Sequence, residues 1–193
     1  PGPQKFRDRG TEREAVIERV RREMRAPTER LGDLRAQVAA NELGARRHLE
    51  LVARHGATKV RTFAHEIMDY SERRVRAAIQ PLPRGTWTAE DVLEGTGPDE
   101  GRDLRVRAEV TVGGSGMAIN FEGTARQVEG NLNAPFAVTM SAAYYVLRCL
   151  TDPGAPPNAG AYRALQVRAP EGTIVRARPP AAVAAGNVET SQR

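Results

Sequence analysis

The feature that most constrains the fold is the stretch 119–150, which reads INFEGTARQVEGNLNAPFAVTMSAAYYVLRCL. It begins as a strand, breaks into a loop of small and amide residues, and ends in a helix over about 135–150 that is apolar almost all the way round. Such a helix is expected to be buried on every side. The Asn/Gly loop before it would then be held between two core elements, where functional loops on a rigid scaffold are often found.

Composition narrows the class of protein. The length of 193 residues predicts one large domain or one and a half, and 40% hydrophobic content is typical of a globular chain. The single cysteine, Cys149, excludes an internal disulfide, and we predict that it is a small buried hydrophobic residue. The chain has no apolar run of membrane-spanning length and no signal-peptide pattern, so we expect a cytoplasmic protein without a membrane partner.

The net charge of +5 raises the question of nucleic acid binding. The arginines are spread along the chain and alternate with acidic residues, as in the segment 105–109, and they are not interleaved with aromatic residues. A nucleic-acid surface needs clustered cations with aromatic platforms. We therefore expect no nucleic acid partner.

Residues 1–80 are predicted to be a helical segment that follows a loose start over 1–10. Thr11 is the predicted N-cap of the first helix, which Pro27 ends. A second helix is predicted to open at Gly32-Asp33, to close at Gly56, and to place apolar residues inward (Leu34, Val38, Leu43, Leu49 and Val52). A third is predicted over about 58–79.

Residues 81–193 change to a period of two, which predicts strands. Alternating residues over 104–112 and 117–121 flank the turn Gly113-Gly114-Ser115-Gly116 and predict a β-hairpin. Shorter strands are predicted at 85–92, 165–167 and 173–177. The predicted fold class is α+β, with an N-terminal helical segment followed by a mixed or antiparallel sheet with a buried helix.

Familiar catalytic and metal-binding patterns are missing from the sequence. His48, His55 and His65 lack the spacing of a zinc pair on a helix, so no metal site is predicted. Gly114-Ser115-Gly116 lies in a turn between strands, whereas a phosphate-binding loop leads from a strand into a helix. Four loops rich in asparagine remain as candidates, at 120–124, 131–135, 158–160 and 186–190. Each is either ordinary turn chemistry or one wall of a pocket in which amides stabilise an oxyanion.

These loops and their flanking residues resemble the hydantoinase B/5-oxoprolinase family, whose relatives include the large subunits of acetone and acetophenone carboxylases. The matching strings are Gly32-Asp33-Leu34-Arg35-Ala36-Gln37, Tyr70-Ser71-Glu72-Arg73-Arg74, Phe121-Glu122-Gly123-Thr124, Pro157-Asn158-Ala159-Gly160 with Arg163, Ala169-Pro170-Glu171-Gly172 and Gly186-Asn187-Val188-Glu189-Thr190. Asn120 stands where the family usually has aspartate, a change that removes a charge and any base function.

The resemblance implies ATP-dependent opening of a small cyclic amide such as a hydantoin or 5-oxoproline. It also implies a hetero-oligomer with a hydantoinase A-like subunit or domain that binds ATP, and a divalent metal in the full complex. Family chains are much longer, so this chain would be an internal fragment that is inactive alone and holds no metal itself. Two alternatives stay open: a subunit of an ATP-dependent ketone carboxylase, and a non-catalytic assembly fragment.

Within that resemblance, residue types suggest roles at the site. The predicted catalytic residues are Glu122, Asn133, Asn187 and Glu189. The predicted substrate-binding residues are Asn120, Thr124, Asn131, Asn158 and Arg163. The carboxylates would act as bases, the amides would hold a carbonyl or an oxyanion, and Arg163 would clamp a carboxylate or phosphate.

Overall fold

The computed structural model describes residues 4–192, in two compact units, Pro1–Phe63 and Ala64–Arg193. The first three residues of the predicted loose start, and Arg193 at the chain end, lie outside the described residues. The predicted division at residue 80 marks the change from helices to strands, whereas the two units divide by packing at residue 63. The domain organisation of a longer family protein stays a prediction.

The first unit is built on a small hairpin and two helices. Strands β1 (Arg7–Asp8) and β2 (Thr11–Glu12) pair antiparallel, and α1 (Glu14–Glu23) follows them. The hydrophobic core of this unit contains Ile17, Val20 and Leu31. The predicted N-cap at Thr11 is wrong, because Thr11 belongs to β2 and the capping position is Arg13, whose side chain makes no capping hydrogen bond.

Helix α2 (Pro27–His55) begins five residues earlier than predicted. Pro27 does not end the first helix but opens the second. In the first turn of a helix the backbone N–H has no partner within the helix, so a proline there costs no hydrogen bond. Gly56 closes α2, as predicted, with a positive φ of 82°. The predicted inward positions Leu43 and Leu49 are exposed, so the apolar stripe on α2 does not pack along its whole length within the described residues.

Helix α3 (Ala57–Ile79) matches the third predicted helix and runs through both units. In the second unit, β3 (Gly85–Glu94), β4 (Asp103–Gly113) and β5 (Gly116–Asn120) pair antiparallel, and β6 (Leu165–Arg168) pairs parallel to β5. The predicted hairpin is therefore confirmed, and the α+β class with a mixed sheet is confirmed with it. The segment 173–177 forms isolated bridges from Thr173 in place of the predicted strand.

Two clusters of buried residues hold the second unit together. One joins the end of α3 to the sheet and to α4 (Phe136–Leu150), and includes Val75, Ile79, Met117, Ile119 and Leu147. The other packs the far ends of β3 and β4 against the loops at 128–132 and 174–175. Helix α5 (Ala185–Gln192) packs on α4.

The burial of α4 differs from the prediction. Thr139, Ala143 and Leu147 are buried, but Tyr145 is 69% exposed and Leu150 is 52% exposed. Cys149 is exposed as well, so both the all-round burial and the buried cysteine were wrong predictions. An apolar sequence allows a helix face to be buried, but the face is buried only where other residues pack against it. None of the helices within residues 4–192 has the length and apolar character needed to cross a membrane.

Candidate functional site

The parallel pair β5–β6 places two predicted site loops at opposite ends of the same strands. Asn120 ends β5 beside Arg168, which ends β6, while Met117 near the start of β5 pairs with Leu165. Three residue steps of a strand span about 10 Å. Carboxyl ends of parallel strands meet at one edge of a sheet, where ligand sites are often found in α/β folds.

A cleft of about 460 Å³ opens at this carboxyl end. Its lining residues are Asn120, Glu122, Phe136, Val167, Arg168, Ala169, Pro170 and Arg176. The Glu122 backbone N–H donates to Asn120 Oδ1 at 3.2 Å, and Gly123 takes a left-handed conformation at φ 88°. This turn leaves the Glu122 side chain exposed, and its carboxylate has no hydrogen-bond partner among residues 4–192.

Thr124 ties the same loop to the sheet. Its Oγ1 accepts from the backbone N–H of Arg107 and donates to the carbonyl of Arg107, both at 3.1 Å, and the residue is buried. Arg107 in turn donates from Nη1 to the Glu122 carbonyl at 3.0 Å. Because both capacities of the hydroxyl are used by β4, Thr124 is placed to hold the loop.

Phe136 and Arg176 also line the cleft. The Arg176 guanidinium lies 4.8 Å from the centroid of the Phe136 ring. It also donates to the Ala169 carbonyl and to Glu171 Oε1, each at 3.0 Å. Arg178, and with it Arg176, holds the pKa of the Glu171 carboxyl below its ordinary value. Arg176 is therefore held by an aromatic ring, a backbone carbonyl and a carboxylate.

Asn158 and Arg163 lie toward the other end of β6, where their side chains contact residues of α3. Asn158 donates from Nδ2 to Ser71 Oγ at 2.9 Å, and its Oδ1 accepts from the backbone N–H of Gly160 and Ala161. Arg163 Nη1 contacts Asp69 Oδ1 at 2.7 Å and Glu72 Oε2 at 3.2 Å, and these bonds raise its pKa. Arg76, and after it Arg163, lowers the pKa of Glu72.

Asn133 is fully buried and its amide is engaged with the backbone. Its Oδ1 accepts from the Val128 N–H at 2.9 Å, and its Nδ2 donates to the carbonyls of Val128, Gly130 and Ala182 at 2.9–3.0 Å. This geometry joins the loop 128–133 to the segment leading into α5. Asn131 has an exposed side chain, while its carbonyl accepts from the N–H groups of Ala184 and Gly186.

Asn187 and Glu189 lie in the first turns of α5 and are half-buried. The Asn187 Oδ1 atom is buried without a hydrogen-bond partner among the described residues. Gly186 sets the close approach of α5 to the loop, because a Cβ there would lie 2.4 Å from the Asn133 carbonyl oxygen. Glu189 also interacts with another group of the protein, so it is not a free residue.

The predicted site residues thus fall into three places. Asn120 and Glu122 line the cleft, and Thr124 holds their loop. Asn158 and Arg163 lie at the other end of β6, and Asn131, Asn133, Asn187 and Glu189 surround the start of α5.

The cleft residues Phe136, Arg168 and Arg176 were not predicted from the sequence. The signal for Arg168 was its position just beyond the predicted strand 165–167. Within residues 4–192, no group of three or more His, Cys, Asp or Glu side chains could hold a metal ion.

Comparison with known proteins decides the family. Residues 2–193 match the family described as Hydantoinase B/oxoprolinase. The chain belongs to this family. The hydantoinase B/oxoprolinase match therefore covers both units and all of the predicted site loops.

Two relatives illustrate the family. The 5-oxoprolinase of Saccharomyces cerevisiae is 33% identical over 170 residues, covering 86% of this chain and 13% of that protein. Caprolactamase subunit beta of Pseudomonas jessenii is 32% identical over 180 residues, covering 93% of this chain and 31% of the relative. The chain therefore spans less than a third of the length of either relative.

Solved structures agree with this assignment. The crystal structure of the ATP-dependent caprolactamase from Pseudomonas jessenii matches with a TM-score of 0.77 and 31% identity, over 95% of this chain and 32% of that one. The nucleotide-free structure of acetone carboxylase matches with a TM-score of 0.79 over 95% of this chain and 26% of that one. At 18% identity, the second likeness concerns the fold alone.

Proposed function

We propose that this chain is part of the B component of an ATP-dependent cyclic-amide hydrolase. The observation that carries the proposal is the hydantoinase B/oxoprolinase match over residues 2–193. Relatives above 30% identity are named 5-oxoprolinase and caprolactamase, and both names refer to the opening of a cyclic amide. The acetone carboxylase likeness supports the shared fold and adds no evidence for a carboxylase.

The cleft at the carboxyl ends of β5 and β6 is the part of the active site that we assign to this chain. ATP, held by a partner subunit, would activate the substrate carbonyl by phosphorylation. The exposed Glu122 carboxylate would accept a proton from the attacking water. The Asn120 amide would donate a hydrogen bond to the phosphoryl group on the activated carbonyl oxygen, and the proton taken from water would pass to the ring nitrogen as the C–N bond breaks.

The other predicted residues take supporting roles in this proposal. Asn133 and Thr124 hold the loops that carry the cleft, since their polar atoms are bonded to backbone. Asn131, Asn187 and Glu189 form a second polar region at α5 that would contact substrate or the partner. Asn158 and Arg163 fasten the loop before β6 to α3.

We further propose a cytoplasmic hetero-oligomer with a hydantoinase A-like ATP-binding subunit, in line with the subunit name of the caprolactamase relative. For the divalent metal that the resemblance implies, residues 4–192 hold no group of three or more His, Cys, Asp or Glu side chains that could bind it. No step that we assign to this chain uses the metal.

The test is the ATPase activity of the natural protein containing this chain, purified with its ATP-binding partner. We expect stimulation by 5-oxoproline, a hydantoin or caprolactam, and no activity from the 193-residue chain alone. Glu122→Gln should lower turnover about 100-fold, the effect typical of losing a general base. Glu129→Gln, an exposed carboxylate in the same loop region but not lining the cleft, is the matched control.

Other outcomes would redirect the proposal. Stimulation only by a ketone with bicarbonate would identify a carboxylase subunit. An intact complex that responds to none of these compounds would favour the assembly fragment. Equal turnover in Glu122→Gln and wild type would remove Glu122 as the base.

A further inference from the structure

The two arginines of the cleft differ in what surrounds them. Arg176 is bonded to Ala169 and Glu171 and stacks on Phe136. The Arg168 guanidinium has no hydrogen bond, ion pair or ring contact with any residue in 4–192, although its backbone carbonyl accepts from the N–H of Phe121, just beyond β5. The backbone of Arg168 is therefore fixed while its charged group stays available.

The neighbours of Arg168 supply complementary chemistry. Asn120 lies beside it in the parallel register, and its Oδ1 is already used by the Glu122 N–H, so the amide presents Nδ2 as a donor. Glu122, which follows in the same turn, presents a carboxylate that only accepts hydrogen bonds. One small region thus offers a free cation, a neutral donor and a free anion.

We infer that the Arg168 end of this cleft is an oxyanion-binding subsite for a carboxylate or phosphate group, beside which Glu122 favours ligands that also carry an amide N–H. The guanidinium can hold two oxygens of such a group at once. Glu122 accepts from the amide N–H, which turns the ligand so that its carbonyl faces Asn120. A ligand with an acidic group but no N–H would meet the Glu122 charge without this compensation.

The subsite deepens the proposed function and rests on it only for the turnover of the ligand. As a binding site it stands on geometry alone. The oxyanion has two possible sources, an acidic group on the cyclic amide itself and a phosphoryl group delivered during activation. Both would contact Arg168 in the same way, so the probes must separate them.

The experiment is isothermal titration calorimetry of the natural protein containing this chain, with three probes. 5-Oxoproline carries the ring amide and a carboxylate, 2-pyrrolidinone is the same ring without the carboxylate, and inorganic phosphate is the free anion. Arg168→Gln removes the charge, and Arg168→Lys keeps the charge but not the two-oxygen geometry. Arg84→Gln is the matched control, because Arg84 is also exposed and lies outside the cleft.

We expect 5-oxoproline to bind at least about tenfold more tightly than 2-pyrrolidinone, the lower end of the range for a charge-assisted hydrogen bond. Arg168→Gln should remove that preference, Arg168→Lys should keep part of it, and Arg84→Gln should keep all of it. Binding of inorganic phosphate that is lost in Arg168→Gln would assign the subsite to the phosphoryl group.

Three results would overturn the inference: equal binding of both rings to the wild type together with no phosphate binding, an unchanged preference in Arg168→Gln, or the same loss in Arg84→Gln. Circular dichroism of each variant checks that the fold is retained. Calorimetry needs no turnover, so oxyanion binding without substrate-stimulated ATPase would contradict the proposed function and leave the subsite standing.

Discussion

The two ends of β6 present the same kinds of side chain in opposite states. Before the strand, Arg163 is held by Asp69 and Glu72, and Asn158 is bonded to Ser71 and to two backbone N–H groups. At its end, Arg168 and Glu122 have no side-chain partner in residues 4–192. Groups whose bonds are all made within the protein stabilise it, whereas free groups in a cleft are available to a ligand. We therefore expect substitutions before β6 to change stability and substitutions after it to change binding.

The largest effect should come from Gly160→Ala, in the loop before β6. A Cβ at this position would lie 1.9 Å from the Met68 carbonyl oxygen on α3, and a backbone atom cannot move aside cheaply. We expect the free energy of unfolding to fall by about 3 kcal/mol or more. Urea denaturation measures it, with Gly113→Ala as control, since a Cβ there has no neighbour within 4 Å. Equal stability of the two variants would show that this end is loosely packed.

A smaller loss of stability is expected for Asn158→Ala. The substitution removes the hydrogen bond to Ser71 and leaves the N–H groups of Gly160 and Ala161 without their acceptor. The expected cost is about 1–2 kcal/mol in the same denaturation assay. Asn131→Ala should change stability by less than about 0.5 kcal/mol, because that side chain is exposed. A larger cost for Asn131→Ala than for Asn158→Ala would reverse the assignment of structural roles.

The smallest effect should be the pH dependence that Glu72 contributes. Arg76 and then Arg163 lower its folded pKa below the ordinary value of 4.5, so the ionised carboxylate stabilises the fold above that value. This stability is lost as pH falls through the lowered pKa. Glu72→Gln should therefore lose less unfolding free energy than the wild type between pH 7 and the acid range below 4.5. Parallel acid-unfolding curves for the two proteins would contradict the ion pairs at this end.

The sequence predicted local features more accurately than non-local ones. The hairpin at β4–β5 follows from alternating residues around a glycine turn, and the end of α2 follows from Gly56, because both depend on neighbours in the chain. The pairing of Met117 with Leu165 joins residues far apart in sequence, and no pattern indicated it. The cleft depends on that pairing, so Arg168 could not be placed beside Asn120 in advance.

Residue type was also a weak guide to role. Asn133 and Asn120 are both loop asparagines, yet one is buried among backbone groups and the other lines a cleft. Similarly, the apolar sequence of α4 predicted burial on every side, while Tyr145 and Leu150 are exposed. In both cases the surroundings decide the outcome, and the sequence of the segment does not contain them.

The comparison between the two ends of β6 is tested most directly by measuring Arg163→Gln and Arg168→Gln side by side for two quantities, the free energy of unfolding and the affinity for 5-oxoproline. We expect Arg163→Gln to lower stability and leave the affinity unchanged. We expect Arg168→Gln to leave stability unchanged and to weaken binding about tenfold. The opposite pattern, or the same loss of affinity in both variants, would contradict the assignment of structure to one end of β6 and ligand binding to the other.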